Sequence, residues 1–306
     1  MIYGTIYETF KSGFNAVLPS FVMIFVGFIY GKIFSKDDAE LFNKIATWLM
    51  APLITFTFIN DYLPNFEVLF RYLLGFSFLF LVSFLLSKFH RKHREVFFTG
   101  NVYVNSGYLG YPVLMALWGE RALALGVVYS FVNVLFGSTM LPSLISGKVQ
   151  LKNALKLPFV YAIFLGWLLG ILGISYKETP EGILIAFNWI KDMSIPFLLL
   201  QVGISISRIE LEWSDVKDYA ILSFERLILI PLIMLLFTLF LPSFEAKVFI
   251  LESAMPVGVN SIVVINAFKR EETPKAGVTV ALTTLLSLLT LPIWAVILDK
   301  IFIGAK

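Results

Sequence analysis

Two stretches of this chain concentrate residues that could hold a small polar ligand: GNVYVNSGYLGYP, Gly100 to Pro112, and ESAMPVGVNS, Glu252 to Ser261. Both interrupt runs that otherwise read as membrane-spanning helix, and both carry Val-Asn-Ser, at Val104–Ser106 and Val259–Ser261. Inside hydrocarbon every backbone group must be satisfied within the protein, so a helix broken there has to be covered or used. Gly107, Gly110 and Pro112 weaken the first helix, and Pro256 and Gly258 the second; a proline also removes a donor and clashes with the preceding turn. A break exposes amide N–H groups and the positive end of a helix dipole. Two such ends facing each other suit an anion, a carboxylate above all, with Asn105, Ser106, Asn260 and Ser261 adding donors and acceptors. Either stretch alone reads more simply as a proline kink resealed by polar side chains. The matched pair is what argues for a site.

Glu252 lies four residues before Pro256. A carboxylate inside a span is costly and by default functional. Two readings stand: it binds a coupling proton or Na⁺, or it is a structural acid hydrogen-bonded to free donors at the break. Thr55, after Pro52, and Gln201, after Pro196, could line the cavity from a neighbouring scaffold, or serve helix contacts. Asn133, Ser138, Thr139, Thr279, Thr283, Thr284 and Ser287 are similar cases, most of them explained by bonding back to their own helix. Glu225-Arg226 reads as an ion pair anchoring a helix start, although Arg226 could also attract an anion. His90 and His93, in KFHRKHRE, read as part of a solvated basic loop.

These residues need elements to position them. Of 306 residues 58% are hydrophobic and only 15% charged, against roughly 25% in soluble domains, and mean hydropathy is +0.84. Such a chain belongs in a bilayer. Ten segments are long and apolar enough to cross it: about 15–34, 40–60, 68–88, 95–118, 121–144, 156–175, 186–207, 219–241, 246–268 and 276–302. The connections are short, so no soluble domain is expected. Near the N-terminus Glu8 stands where a signal peptide would be positive, so the first segment is expected to remain as a span. Cysteine is absent, which excludes disulfides and thiolate metal sites. Net charge is +3 and reflects basic loops, not nucleic-acid affinity. Lysine and arginine concentrate in the loops after odd-numbered segments, Lys88, Arg91, Lys92 and Arg94 among them. Positive-inside then makes these loops cytoplasmic in a multi-pass inner-membrane protein with both termini outside.

The chain also repeats itself. LPSFVMIFVGFIYG (Leu18–Gly31) and LPFVYAIFLGWLLG (Leu157–Gly170) share Pro19/Pro158, Gly27/Gly166 and Gly31/Gly170. Pro52 and Pro196 stand in the middle of segments two and seven, and Leu141-Pro142 and Leu291-Pro292 close segments five and ten. The expected fold class is therefore all-α and polytopic, with ten transmembrane helices as two inverted five-helix repeats, 1–147 and 148–306, and broken crossing helices four and nine. Inverted repeats are the build of secondary transporters, with the site near the midplane.

GNVYVNSGYLGYP resembles the Gly-Asn…Asn-x-Gly-x-x-Gly-x-Pro motif of the auxin efflux carrier family, AMPVGVNSIVVINAFKRE resembles its ninth-span motif, and TVALTTLLSLLTLP fits as well. The chain lacks the long cytoplasmic loop of the plant carriers and so looks like a short prokaryotic member. The resemblance implies that spans four and nine cross as an X, with Asn105, Pro112, Pro256 and Asn260 at the crossover. It implies a mobile transport part (spans 3–5 and 8–10), a scaffold (spans 1, 2, 6 and 7) forming a homodimer, and elevator-like motion. Family substrates are organic anions such as indole-3-acetate, malate or malonate.

Other classes fare worse or stay open. Gly147-Lys148 lacks the flanking residues of a phosphate loop, so no ATP-driven pump is expected. Neither histidine lies in a span and no HExxH or GxSxG appears, so an enzyme is not expected, nor a cofactor or metal. A sodium-coupled anion symporter of the bile-acid type, which shares the ten-span plan, and an anion channel or sensor remain alternatives.

Overall fold

The structure is a computed structural model, describing residues 2–209 and 214–304. Among them every regular element is helical: α1 Ile2–Ile33, α2 Lys36–Ile45, α3 Ala51–Tyr62, α4 Phe66–Ser87, α5 Arg94–Val102, α6 Tyr111–Leu135, α7 Leu141–Ser146, α8 Pro158–Ile171, α9 Glu181–Ser207, α10 Val216–Phe224, α11 Ile230–Met234, α12 Ser243–Ser253, α13 Asn260–Phe268 and α14 Thr273–Ile301.

Several boundaries are not ends of helices but changes of pitch. Ala46–Met50, Phe136–Met140 and Glu225–Leu229 are single π-turns inside longer helices, and Ser106–Gly110 is one that opens a helix. Each ends two residues before a proline: Pro52, Pro112, Pro142 and Pro231. A proline cannot donate to the carbonyl four residues back, and its ring pushes on that carbonyl; widening the preceding turn absorbs the clash. Pro19, Pro196 and Pro292 sit inside helices with no such turn.

Among the described residues seven helical stretches are long and apolar enough to cross a membrane: Phe10–Ile33, Lys36–Tyr62, Phe66–Ser87, Ser106–Ser146, Glu181–Ser207, Val216–Thr238 and Arg270–Ile301. They differ from the ten expected segments in identifiable places. Ser106–Ser146 has 41 residues, or about 60 Å of helix, twice the roughly 30 Å of hydrocarbon. Gly119, at φ 79° and ψ −168°, turns the chain within it, a conformation glycine adopts without penalty. Segments 95–118 and 246–268 are not continuous, because α5 ends at Val102 and α12 at Ser253. Segment 156–175 is the 14-residue α8, shorter than one full crossing.

Two close helix pairs stand beside the broken segments. α1 lies along α9, with Gly27 against the Leu200 backbone and Gly31 against Ile204 and Ser207. α8 lies along α3, with Gly166 against Phe56 O and Ile59, and Gly170 against Leu63. Small residues let helix backbones approach this closely where lipid offers no hydrophobic drive to associate. The buried core runs on from these pairs, and between α4, α6 and α12 Tyr72, Phe76, Tyr129 and Phe249 pack edge to face.

Candidate functional site

The two broken segments meet. Val104 and Val257 form an antiparallel bridge in which the Asn105 N–H donates to Pro256 O and the Gly258 N–H to Tyr103 O, both at 2.9 Å. Each break thus satisfies part of the other's backbone. Gly258 permits it: a Cβ there would lie 2.9 Å from Val104 C and O and 3.2 Å from Asn105 N, all backbone. Asn133 braces the arrangement, its Nδ2 donating to Val104 O (2.9 Å) and Ser106 Oγ (2.8 Å), and Thr283 Oγ1 accepts from the Val257 N–H at 3.1 Å. The first break lies at Tyr103–Asn105, upstream of the glycines expected to cause it. Gly107 and Gly110 belong to the π-turn that follows, and Pro112 sits in the first turn of α6.

Helix restarts at Ser106 and at Asn260, and neither start carries a side-chain cap. Both border a cavity of about 130 Å³. Of the residues singled out from the sequence, Thr55, Asn105, Ser106, Gly107, Gly258 and Asn260 line it. Sequence reasoning missed Thr47, Tyr103, Tyr108, Tyr111, Ser130 and Phe159 as lining residues, and treated Asn133 as a helix-bonding residue. The three tyrosines lie in or beside the stretch already flagged; aromatic residues in a span read as ordinary packing, so nothing but their neighbours marked them. Among the described residues no lining side chain is charged. The cavity offers hydroxyls, amides and aromatic faces. Orphaned polar atoms surround it: Thr55 Oγ1, Asn105 Nδ2, Ser130 Oγ and Asn133 Oδ1 are buried without a hydrogen-bond partner.

Val259 and Asn260 also border a wider vestibule of about 620 Å³ that contains Gln201, Asn43, Arg208 and Arg270. Gln201 therefore faces the vestibule, not the crossover cavity, with Nε2 donating to Asn43 Oδ1 and Ser205 Oγ at 3.1 Å each. Gly110, Pro112, Pro256 and Ser261 do not line either space; Pro256 contributes its carbonyl to the bridge, and Ser261 Oγ is buried without a partner.

Glu252 is fully buried one layer behind the cavity, and neither of its oxygens has a hydrogen-bond partner. It is pressed against two glycines: a Cβ at Gly110 or Gly126 would lie 2.6 or 2.9 Å from its carboxylate. The structural acid bonded to free donors at the break, one of the two sequence readings, is thus not what the geometry gives. The expected Glu225–Arg226 pair is absent too. Glu225 is 2.6 Å from His90 Nε2 and accepts from Asn101 Nδ2 at 2.9 Å, whereas Arg226 turns to backbone carbonyls.

His93 is not solvated either. It is 4% exposed, with Nδ1 2.8 Å from Glu272 and Nε2 3.4 Å and 3.7 Å from Asp215 and Asp218. His93, Asp215 and Asp218 are close enough to share a cation. Lys92, at 2.7 Å, and Lys275, at 3.5 Å, already serve Asp215, and the Lys92 hydrogen bond holds that carboxyl down at about 2. The cluster clasps three loops at one end of the molecule.

A family model described as a membrane transport protein matches residues 12–150 and 142–295. An uncharacterized transporter of Methanocaldococcus jannaschii is 26% identical over 93% of this chain and 98% of its own length. An uncharacterized transporter of Methanothermobacter thermautotrophicus is 27% identical over 64% of this chain and 65% of its own.

Proposed function

The chain belongs to the membrane transport protein family, the auxin efflux carrier-like group, and we propose that it is a secondary carrier that moves small organic anions, carboxylates among them, across the cell membrane. The observation that carries this reading is the bridge joining the two breaks, with both helix restarts opening on one cavity. The positive helix end at Ser106, which has no side-chain cap, and the neutral donors around it attract a carboxylate without trapping it behind a fixed charge. The vestibule supplies a route, lined by two cations, Arg208 and Arg270, and one acid, Glu40.

The ten-crossing inverted repeat belongs to this proposal. Segments 95–118 and 246–268 each cross as two half-helices, and Gly119 separates crossings four and five. The glycine pairs support it: Gly27 and Gly31 of the first segment meet the seventh, and Gly166 and Gly170 of the sixth meet the second. That is the exchange two copies of one five-helix unit would make. On this reading α1, α2–α3, α8 and α9 are the scaffold, through which a homodimer forms, and the remaining crossings move against it as an elevator. The basic loops face the cytoplasm and both termini lie outside, which protease accessibility of terminal tags would check. An inside-negative potential then favours anion export by about 2.3 kcal/mol per charge per 100 mV.

Glu252 is the coupling candidate. It is fully buried with neither oxygen partnered, and an acid inside a span is by default functional. Uptake by Glu252→Gln should lose its dependence on pH while substrate binding survives; an unchanged pH profile would remove Glu252 from coupling. The general test is thermal shift of purified protein against mono- and dicarboxylates at several pH values, followed by counterflow in proteoliposomes. Saturable stabilisation by at least one carboxylate, lost in Asn105→Ala, is expected. A silent panel, or single-channel currents in place of counterflow, would contradict the carrier reading.

A further inference from the structure

Breaking two helices creates two kinds of loose end. The restarts expose N–H groups, and the stops expose carbonyls with negative partial charge. In membrane carriers built from half-helices, such carbonyl ends are where coupling cations bind. In this chain the stops are α5 and α12. Asn101 O would ordinarily accept from the N–H of residue 105, but that N–H has gone to Pro256 O. Met255 O lies just past the cap of α12.

Both carbonyls are taken by one side chain. Arg226 Nη1 donates to Asn101 O at 2.6 Å and Nε to Met255 O at 3.1 Å. Arg226 is 0% exposed, the largest fully buried side chain among the described residues. Among the described residues no carboxylate lies within ion-pairing distance of it: the adjacent Glu225 is turned toward His90 and Asn101. A guanidinium buried without a counter-ion is strongly unfavourable. Here the two helix stops supply its negative partner, since a helix end carries roughly half an elementary charge. The π-turn Glu225–Leu229, forced by Pro231, carries the arginine at that point. Its Nη2 is buried with no hydrogen-bond partner.

We propose that Arg226 is a resident cation: it fills the place between the two half-helix ends where a sodium ion would otherwise bind, so that this carrier neither needs nor binds Na⁺ at its crossover. The proposal rests on the carrier reading for its meaning, but not for its test. It has a converse. With the guanidinium gone, two inward-facing carbonyls, together with the otherwise unpartnered Asn101 Oδ1, form an oxygen-lined gap suited to a small hard cation. Arg226→Ala should therefore acquire a sodium dependence that the native protein lacks.

The experiment is thermal unfolding of purified protein, without any transport substrate, in sodium, potassium or choline chloride at equal ionic strength. The native protein and Arg226→Lys, which keeps a cation, should unfold at the same temperature in all three. Arg226→Ala should unfold earlier in choline and be restored saturably by sodium, by on the order of 3 °C at ten times the dissociation constant. Specific stabilisation of the native protein by sodium would overturn the proposal, and so would an Arg226→Ala protein with equal midpoints in sodium and choline. If Arg226→Ala cannot be purified in choline, its recovery in sodium-containing buffer supports the proposal, and its absence from both, with Arg226→Lys intact and indifferent to sodium, counts against an ion-sized gap. Because no carboxylate is present and chloride is the same in all three salts, a silent carboxylate panel would sink the carrier reading while leaving this result standing.

Discussion

The two sides of the crossover are built from the same break and furnished in opposite ways. Where the helices restart, at Ser106 and Asn260, the protein leaves a cavity lined by neutral hydroxyls and amides, with several polar atoms lacking any partner. Where they stop, around Val102 and Ser253, it seals the carbonyls of Asn101 and Met255 with a buried guanidinium. The difference follows from the sign of the exposed dipole. A positive end can be left to a diffusible anion, which binds and departs; a negative end filled by a tethered cation stays filled throughout the cycle. One side is adapted to exchange and the other to permanence.

That contrast predicts unequal costs. Arg226→Met should be the most damaging change, because it removes charge-assisted bonds and leaves two buried carbonyls unpaired; a loss of about 3 kcal/mol or more is expected in chemical or thermal unfolding. A loss below about 1 kcal/mol would mean the stopping ends are not sealed by this residue. Gly258→Ala strikes the bridge shared by both sides. Its methyl meets backbone at 2.9 Å, so the two segments must part, at about 2 kcal/mol and with loss of carboxylate binding. Full binding in that variant would show that the bridge is dispensable. Ser106→Ala should be mildest for stability, under about 1 kcal/mol, since Asn133 keeps its bond to Val104 O. Its effect should fall on affinity, several-fold by titration, because the restarting side is arranged for a ligand and not for the fold.

The same division explains what the sequence made legible. Proline, glycine and Val-Asn-Ser in two apolar runs identified both breaks, and the glycines read as a repeat, Gly27/Gly31 and Gly166/Gly170, sit at the close helix contacts. These are local features, set by backbone chemistry that reads directly from residue type. The location of the first break was misjudged, because Pro112 is absorbed by a π-turn and the chain yields instead at Tyr103–Asn105, where the partner segment supplies replacement bonds. Arg226 was read as half of an ion pair with its neighbour, and His93 as a solvated loop residue. Both assignments failed for one reason: their partners are 29 to 182 residues away along the chain, and a charge next to an opposite charge in sequence says nothing of what folds against it. The tyrosines of the cavity were hidden differently, since an aromatic side chain in a span looks the same whether it faces a neighbour or a ligand.

The most direct test of the central claim, that an anion binds where the helices restart, uses the absence of cysteine in this chain. Asn260 is exposed and borders both the cavity and the vestibule, so Asn260→Cys presents a single thiol at their junction. Its alkylation rate by a maleimide should fall at least several-fold, and saturably, in the presence of the carboxylate that gives the largest thermal shift. A rate unchanged by a carboxylate that the same variant demonstrably binds would put the substrate elsewhere and contradict the account.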